Sequence, residues 1–244
     1  MARLLPIPPG LDDYLVGWEP LSGPRTVSGK PAQEMTIGGG IQSLSSPFGA
    51  WRFRLLYGPL DGGMERAFRG WTTAMHGGAN ATRLPFLDPA KMTFAEAGAN
   101  LTYGDIYGGL TWSNGQSWSN GVNWQQSLPI LHPASAAAKD DSTFSLPDEF
   151  WGYSAGWGTF VGFLPFHFGM YMITEEQGSG VYRIWPPLRK AITTSDYCTL
   201  DPVLAVRLES EEAVTMTRNG VFLEGIAITV VEVFDYDVRT DFTD

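Results

Sequence analysis

Glycine and proline break this chain into short pieces, and that constrains its fold more than any other feature. The 244 residues include 29 Gly and 17 Pro. Gly supplies turn conformations that other residues avoid, while Pro stops helices and cannot donate within a sheet ladder. Between the breaks lie segments rich in Val, Ile, Thr and aromatics, which suit a pleated, half-buried surface. In "WRFRLLY", Trp51, Phe53 and Leu55 alternate with Arg52 and Arg54, the two-residue period of a half-buried strand. The C-terminal "FLEGIAITVVEVFDYDV" is the longest β-prone run and predicts a central or well-paired strand.

One segment reads differently. In "LDGGMERAFRGWTTAMHGG", Met64, Phe68, Trp71 and Met75 recur at helical spacing, Ala67 and Ala74 widen the stripe, and Gly77 and Gly78 close it. Gly70 lies inside this pattern, where glycine costs about 1 kcal/mol against alanine. The expected fold is therefore mainly β: a β-sandwich or partly open barrel with one packed helix, a long Gly-rich loop excursion and an N-terminal arm. The expected organisation is an arm over residues 1–47, a β-rich core from 48–94 and 148–244, and an inserted excursion over 95–147. Leu11, Tyr14, Val16, Trp18 and Phe48 are the expected anchors of the arm. The segment "WGTFVGFLPFHFGMYMITE" is dense in aromatics, and its glycines mark bends or close backbone approaches.

The formal net charge is −10, which argues against nonspecific nucleic-acid binding, since that relies on a dense basic surface. Arg52, Arg54, Arg66, Arg69 and Arg83 still cluster in sequence. Cys198 is the only cysteine, so no intrachain disulfide forms, and the chain suits a reducing cytoplasm. The start "MARLLPIPPG" reads as neither secretory signal nor membrane span.

No catalytic, cofactor or metal residues are expected. His76, His132 and His167 are far apart in sequence, and His167 reads as a satisfied structural histidine. Cys198 reads as a buried, inert thiol. Glu175 and Glu176, or Glu209, Glu211 and Glu212, are the carboxylates a polysaccharide or cell-wall hydrolase would draw on, but such pairs occur in any acidic protein. Glu232, Asp235, Asp237, Asp241 and Asp244 read as a solvated strand end and tail rather than a Ca²⁺ site.

"WSNGQSWSNGVNW" repeats Trp-Ser-Asn-Gly and sets Trp112, Trp118 and Trp124 six residues apart. Asn114-Gly115 and Asn120-Gly121 are strong turn formers, because both residue types tolerate positive φ. Two readings stay open: rings packed on their own domain or a neighbouring subunit, or rings that stack on a sugar, with the first favoured.

Several segments together resemble the tail-tip or minor tail proteins of long-tailed bacteriophages, most closely the distal-tail adaptors. They are "WRFRLLYGPLDGGMERAFRGWTTAMHGGANATRLPF", "FGMYMITEEQGSGVYRIWPPLR", "LDPVLAVRLES" and "ITVVEVFDYDV", spanning roughly residues 48 to 238. The motif that follows the helix runs from Met75 through Asn80 to Arg83-Leu84-Pro85. The resemblance implies a non-catalytic virion protein, made in the host cytoplasm and placed at the tail tip. It further implies a homo-oligomeric, sixfold ring contacting tail tube subunits on one side and hub or fibre proteins on the other. It implies no specific nucleic-acid binding and no membrane insertion. Trp112, Trp118, Trp124, Trp18 and Phe48 are the candidate subunit-interface residues. A carbohydrate-binding, receptor-recognising module of the tail and a hydrolase are the alternatives.

Overall fold

The computed structural model describes residues 4–20, 33–35, 41–43, 49–85, 90, 92–93, 96, 111–112, 114–117, 119, 121, 123, 131–147, 155–165 and 167–234. The fold is mainly β, with two larger open sheets, neither closed into a barrel, and one packed α-helix. The chain divides into two compact units, Met1–Phe86 with Val203–Asp244, and Leu87–Pro202. These boundaries differ from the single core expected over 48–94 and 148–244. The strands between residues 160 and 199 pair with one another and with residues 143–145, so they build a sheet of their own.

The first unit contains β1 (Leu4–Leu5), β2 (Leu15–Pro20), the ribbon of β3 (Gln33–Met35) and β4 (Ile41–Ser43), β5 (Arg52–Tyr57), α1 (Gly62–Ala74) and β6 (Ala81–Pro85). The second contains β7 (Thr143–Ser145), β8 (Phe160–Leu164), β9 (His167–Gly178), β10 (Val181–Trp185) and β11 (Tyr197–Thr199). The chain then returns to the first unit with β12 (Val203–Leu208), β13 (Val214–Asn219) and β14 (Phe222–Glu232).

The seven-stranded sheet runs β1-β6-β12-β14-β5-β2, with β13 alongside the first half of β14. Strand β14 is central as expected: β5 pairs with Ile226–Val231 on one side, while β13 and β12 share the other. The alternation read in "WRFRLLY" holds, with Trp51, Phe53, Leu55 and Tyr57 all buried. The arm lies on its own sheet. Its β1 pairs parallel with β6 and its β2 antiparallel with β5, so described residues of the arm form the two outermost strands of that path. Leu11 anchors it at 0% exposure, but Val16 is 71% exposed and anchors nothing.

Glu232 corrects the reading of a solvated strand end. It is buried, and its carboxylate accepts the Trp51 N–H at 2.9 Å, while its own N–H donates to the Trp51 carbonyl at 2.8 Å. The side chain supplies the acceptor that a buried N–H beside the start of β5 requires. Asp235, Asp237, Asp241 and Asp244 lie outside the described residues.

Helix α1 buries Glu65, Phe68 and Trp71, and Met75 directly after it is also buried, while Met64 is only half-buried. Three of the four expected positions, Phe68, Trp71 and Met75, are thus buried as expected, and at the first the carboxylate of Glu65 takes the place of Met64. Glu65 lies there beside Arg69 at 3.7 Å and Arg218 at 3.6 Å, which supply the partners a buried carboxylate needs. Gly70 faces solvent, and a Cβ there would meet nothing within 4 Å. Gly70→Ala is expected to stabilise the first unit by about 1 kcal/mol, by restricting the unfolded chain at a site that accepts helical alanine. The readout is the urea midpoint of that unit; a lower midpoint would contradict the assignment.

The five-stranded antiparallel sheet runs β11-β8-β9-β10-β7. Its core includes Phe144, Val161, Phe163, Tyr171, Ile173, Tyr182, Ile184, Leu188, Ile192 and Cys198. The β9–β10 turn has two residues, Ser179 (φ 52°) and Gly180 (φ 73°), the pair of positive φ values that matches a hairpin's twist. The glycines of "FVGFLPFHFGMY" are close approaches, as expected. A Cβ on Gly162 would lie 2.8 Å from the Pro202 Cβ, and one on Gly169 would lie 2.5 Å from the Tyr171 hydroxyl.

Candidate interaction surfaces

His167 and His132 have structural hydrogen-bond partners, and Cys198 is buried. His167 is buried on β9 against the rings of Phe163 and Tyr171. The Tyr171 hydroxyl accepts the Arg189 N–H at 2.9 Å and is hydrogen-bonded to His167 Nε2. Burial, helped by nearby Lys190 and opposed by Asp196, lowers the His167 pKa to about 3, so the ring is neutral at pH 7. The reading of His167 as a satisfied structural histidine agrees with this geometry. His132 Nδ1–H donates to the Asp196 carbonyl at 2.9 Å, and its ring packs beside Tyr197. Cys198 is fully buried, and burial pushes its thiol up to about 12, the condition of an inert thiol.

Two of the carboxylates a hydrolase would draw on have ion-pair partners. Glu175 pairs with Arg183 across β9 and β10 at 3.2 Å, and Glu209 pairs with Arg52. Among the described residues, no group of three or more His, Cys, Asp or Glu could hold a metal ion. No helix among them is long and apolar enough to cross a membrane.

The Trp-Ser-Asn-Gly unit forms a tight turn. Gly115 N–H donates to the Trp112 carbonyl at 2.7 Å, and Trp112 N–H donates to the Gln116 carbonyl at 2.9 Å. Asn114 Oδ1 accepts the Gln116 N–H at 3.0 Å. Gly115 takes the left-handed conformation that closes the turn, while Asn114 contributes through its side chain rather than through positive φ. Gly121, six residues on, has the same φ of 78°.

The two candidate interface residues that are described belong to different units. Trp112 belongs to the second unit and is 47% exposed. Trp18 belongs to the first, half-buried on β2 with its ring edge-on to Phe53 at 5.5 Å. Trp118, Trp124 and Phe48 lie outside the described residues.

Sequence reading missed a different set. Val16, Met216, Val221 and Phe222 are 71%, 45%, 70% and 50% exposed, all on strands or a turn of the seven-stranded sheet. Val221 and Phe222 sit at the β13–β14 turn, whose central pair is Gly220 (φ 61°) and Val221. Nothing in a β-prone run announces which apolar residues a sheet leaves uncovered; the Asn219-Gly220 turn signal before Val221 was the available clue. Trp157, 73% exposed between Gly156 and Gly158, was also missed.

A scan against protein-family models finds no match to this chain. No curated protein matches its sequence either.

Proposed function

We propose that this chain is a virion structural protein: a ring-forming tail-tip component that joins the tail tube to a hub or baseplate and acts through its surfaces rather than by catalysis. The observation that carries the reading is the pattern of exposed apolar side chains on the first unit. Val16 lies on β2 and Met216 on β13, and among the described residues each of these strands is paired on one side only. Val221 and Phe222 add an apolar tip to the same sheet. Edge strands in solitary proteins are ordinarily guarded by charge, proline or a covering element. Exposed aliphatic and aromatic side chains beside unpaired strand edges suit a partner that covers them. The resemblance of residues 48 to 238 to distal-tail adaptors supplies the kind of assembly: a homo-oligomeric ring, sixfold in such adaptors, between tube subunits and hub or fibre proteins.

Replacing Val221 and Phe222 together by Asp tests this. The double variant is expected to keep the thermal midpoint of the wild-type chain, since both side chains face solvent. It is expected to be absent from purified tails when it is the only copy supplied during particle assembly. Sedimentation and negative-stain imaging of the recombinant chain and of intact virions provide the readout. Particles that incorporate the double variant normally, or virions whose tails lack the wild-type chain, would overturn the proposal.

A further inference from the structure

The two compact units expose different kinds of apolar side chain. On the first they are Val16, Met216, Val221 and Phe222, a mixture suited to protein contact. The large exposed hydrophobics described on the second are Trp112 and Trp157, both tryptophans and both on glycine turns.

Trp157 is the more prominent, at 73% exposure. It occupies the second position of the turn Gly156–Thr159, closed by the Thr159 N–H donating to the Gly156 carbonyl at 3.2 Å. Gly158 takes φ 81° at the third position, as a type II turn requires. Two further bonds tie the turn to β9: Gly158 N–H to the Ile173 carbonyl at 2.8 Å, and Ile173 N–H to the Thr159 carbonyl at 2.9 Å. The backbone that presents the ring is therefore held in place before any ligand arrives. Among the described residues, a Cβ at Gly156 or at Gly158 would meet nothing within 4 Å, and the same holds at Gly115 and Gly121.

Charge separates the ligand classes. No Asp, Glu, Lys or Arg occurs from residue 150 to residue 174, the run that contains Trp157, nor from 106 to 138, the run that contains Trp112. These segments offer an anionic polymer no cation and a basic peptide no carboxylate. What they offer is an amphipathic indole beside hydroxyls and amides: Thr159 at the first site, Asn114, Gln116, Ser117 and Ser119 at the second. A neutral pyranose has the matching surface, with apolar C–H faces that stack on an aromatic ring and hydroxyls around its rim.

We propose that the second unit binds a neutral oligosaccharide through Trp157, with Trp112 as an additional stacking position. This does not rest on the exposed apolar set of the first unit that carries the ring assignment, and each can fail without the other.

The test titrates the full chain with millimolar cellohexaose, maltohexaose and chitohexaose, with polygalacturonate as the anionic comparison, by calorimetry and by the indole NMR signals. At least one neutral hexaose is expected to bind and to move the Trp157 indole resonance. Trp157→Ala is expected to weaken that binding about tenfold, the loss of one well-placed contact, without shifting the thermal midpoint. Trp157→Phe is expected to retain part of it. The proposal is overturned if no neutral hexaose binds, if only polygalacturonate binds, or if Trp157→Ala binds as tightly as the wild type.

Discussion

Gly78→Ala is expected to unfold or nearly unfold the first unit, with a loss of roughly 4 kcal/mol or more from strain and steric overlap combined. Helix α1 ends in a reversal where His76, Gly77 and Gly78 all have positive φ, at 45°, 62° and 99°. Gly78 N–H donates to the Met75 carbonyl at 2.9 Å, and Asn80 Nδ2 donates to the Ala74 carbonyl at 2.7 Å, so two carbonyls at the end of the helix are satisfied here. The same reversal brings Gly78 against β12, where a Cβ would overlap the carbonyl oxygen of Leu208. That oxygen belongs to backbone in a paired strand and has little room to give. Gly220→Ala is the internal comparison. It also takes positive φ, at 61°, in the same unit, but meets nothing within 4 Å, so it isolates the conformational cost of about 1 kcal/mol. Urea unfolding of both variants, followed by a probe in the first unit, separates the two contributions. If Gly78→Ala costs no more than Gly220→Ala, the close approach to Leu208 is wrong.

The second large effect is a loss of stability in acid, centred on His167. In the folded chain this ring stays neutral down to about pH 3, because burial, with Lys190 adding to it, disfavours the imidazolium. In the unfolded chain it protonates near its ordinary pKa of about 6.5. Between these values the unfolded state binds a proton that the folded state does not. Stability of the second unit is therefore full above about pH 6.5 and falls by roughly 1.4 kcal/mol for each pH unit below it. His167→Gln keeps a hydrogen-bonding side chain beside the Tyr171 hydroxyl and removes the titration. Between pH 6.5 and pH 5, where exposed carboxylates remain mostly ionised, the wild type is expected to lose about 2 kcal/mol more than this variant. Equal slopes in denaturant midpoint against pH would show that His167 does not carry the acid sensitivity.

Much of the secondary structure was legible in the residues. Alternation of Trp51, Phe53 and Leu55 with the arginines marked β5, and the run of Ile and Val marked β14 as well paired. The spacing of Phe68, Trp71 and Met75 marked the helix, yet Glu65 entered the buried stripe because Arg218 reaches it from β13, 153 positions along the chain. No local pattern encodes such a pairing. The interaction surfaces were legible only in part. The Trp-Ser-Asn-Gly turn at Gly115 was visible because turn chemistry is local. The exposure of Val16, Phe222 and Trp157 was not, since an apolar side chain in a β-prone segment reads the same whether a sheet covers it or leaves it bare.

The sequence by itself determined the local elements: the strands by two-residue alternation, the helix by its stripe, and the turns by Gly, Asn and Pro. It also determined the character of the surface, acidic overall with long uncharged runs around the exposed tryptophans. Only the tertiary structure decided that these strands divide between two units, that Glu232 is buried to hold the Trp51 N–H, and that Gly78 must be glycine because β12 passes against it. Local propensity acts over a few residues, whereas strand pairing and close packing bring together groups whose separation along the chain carries no signal.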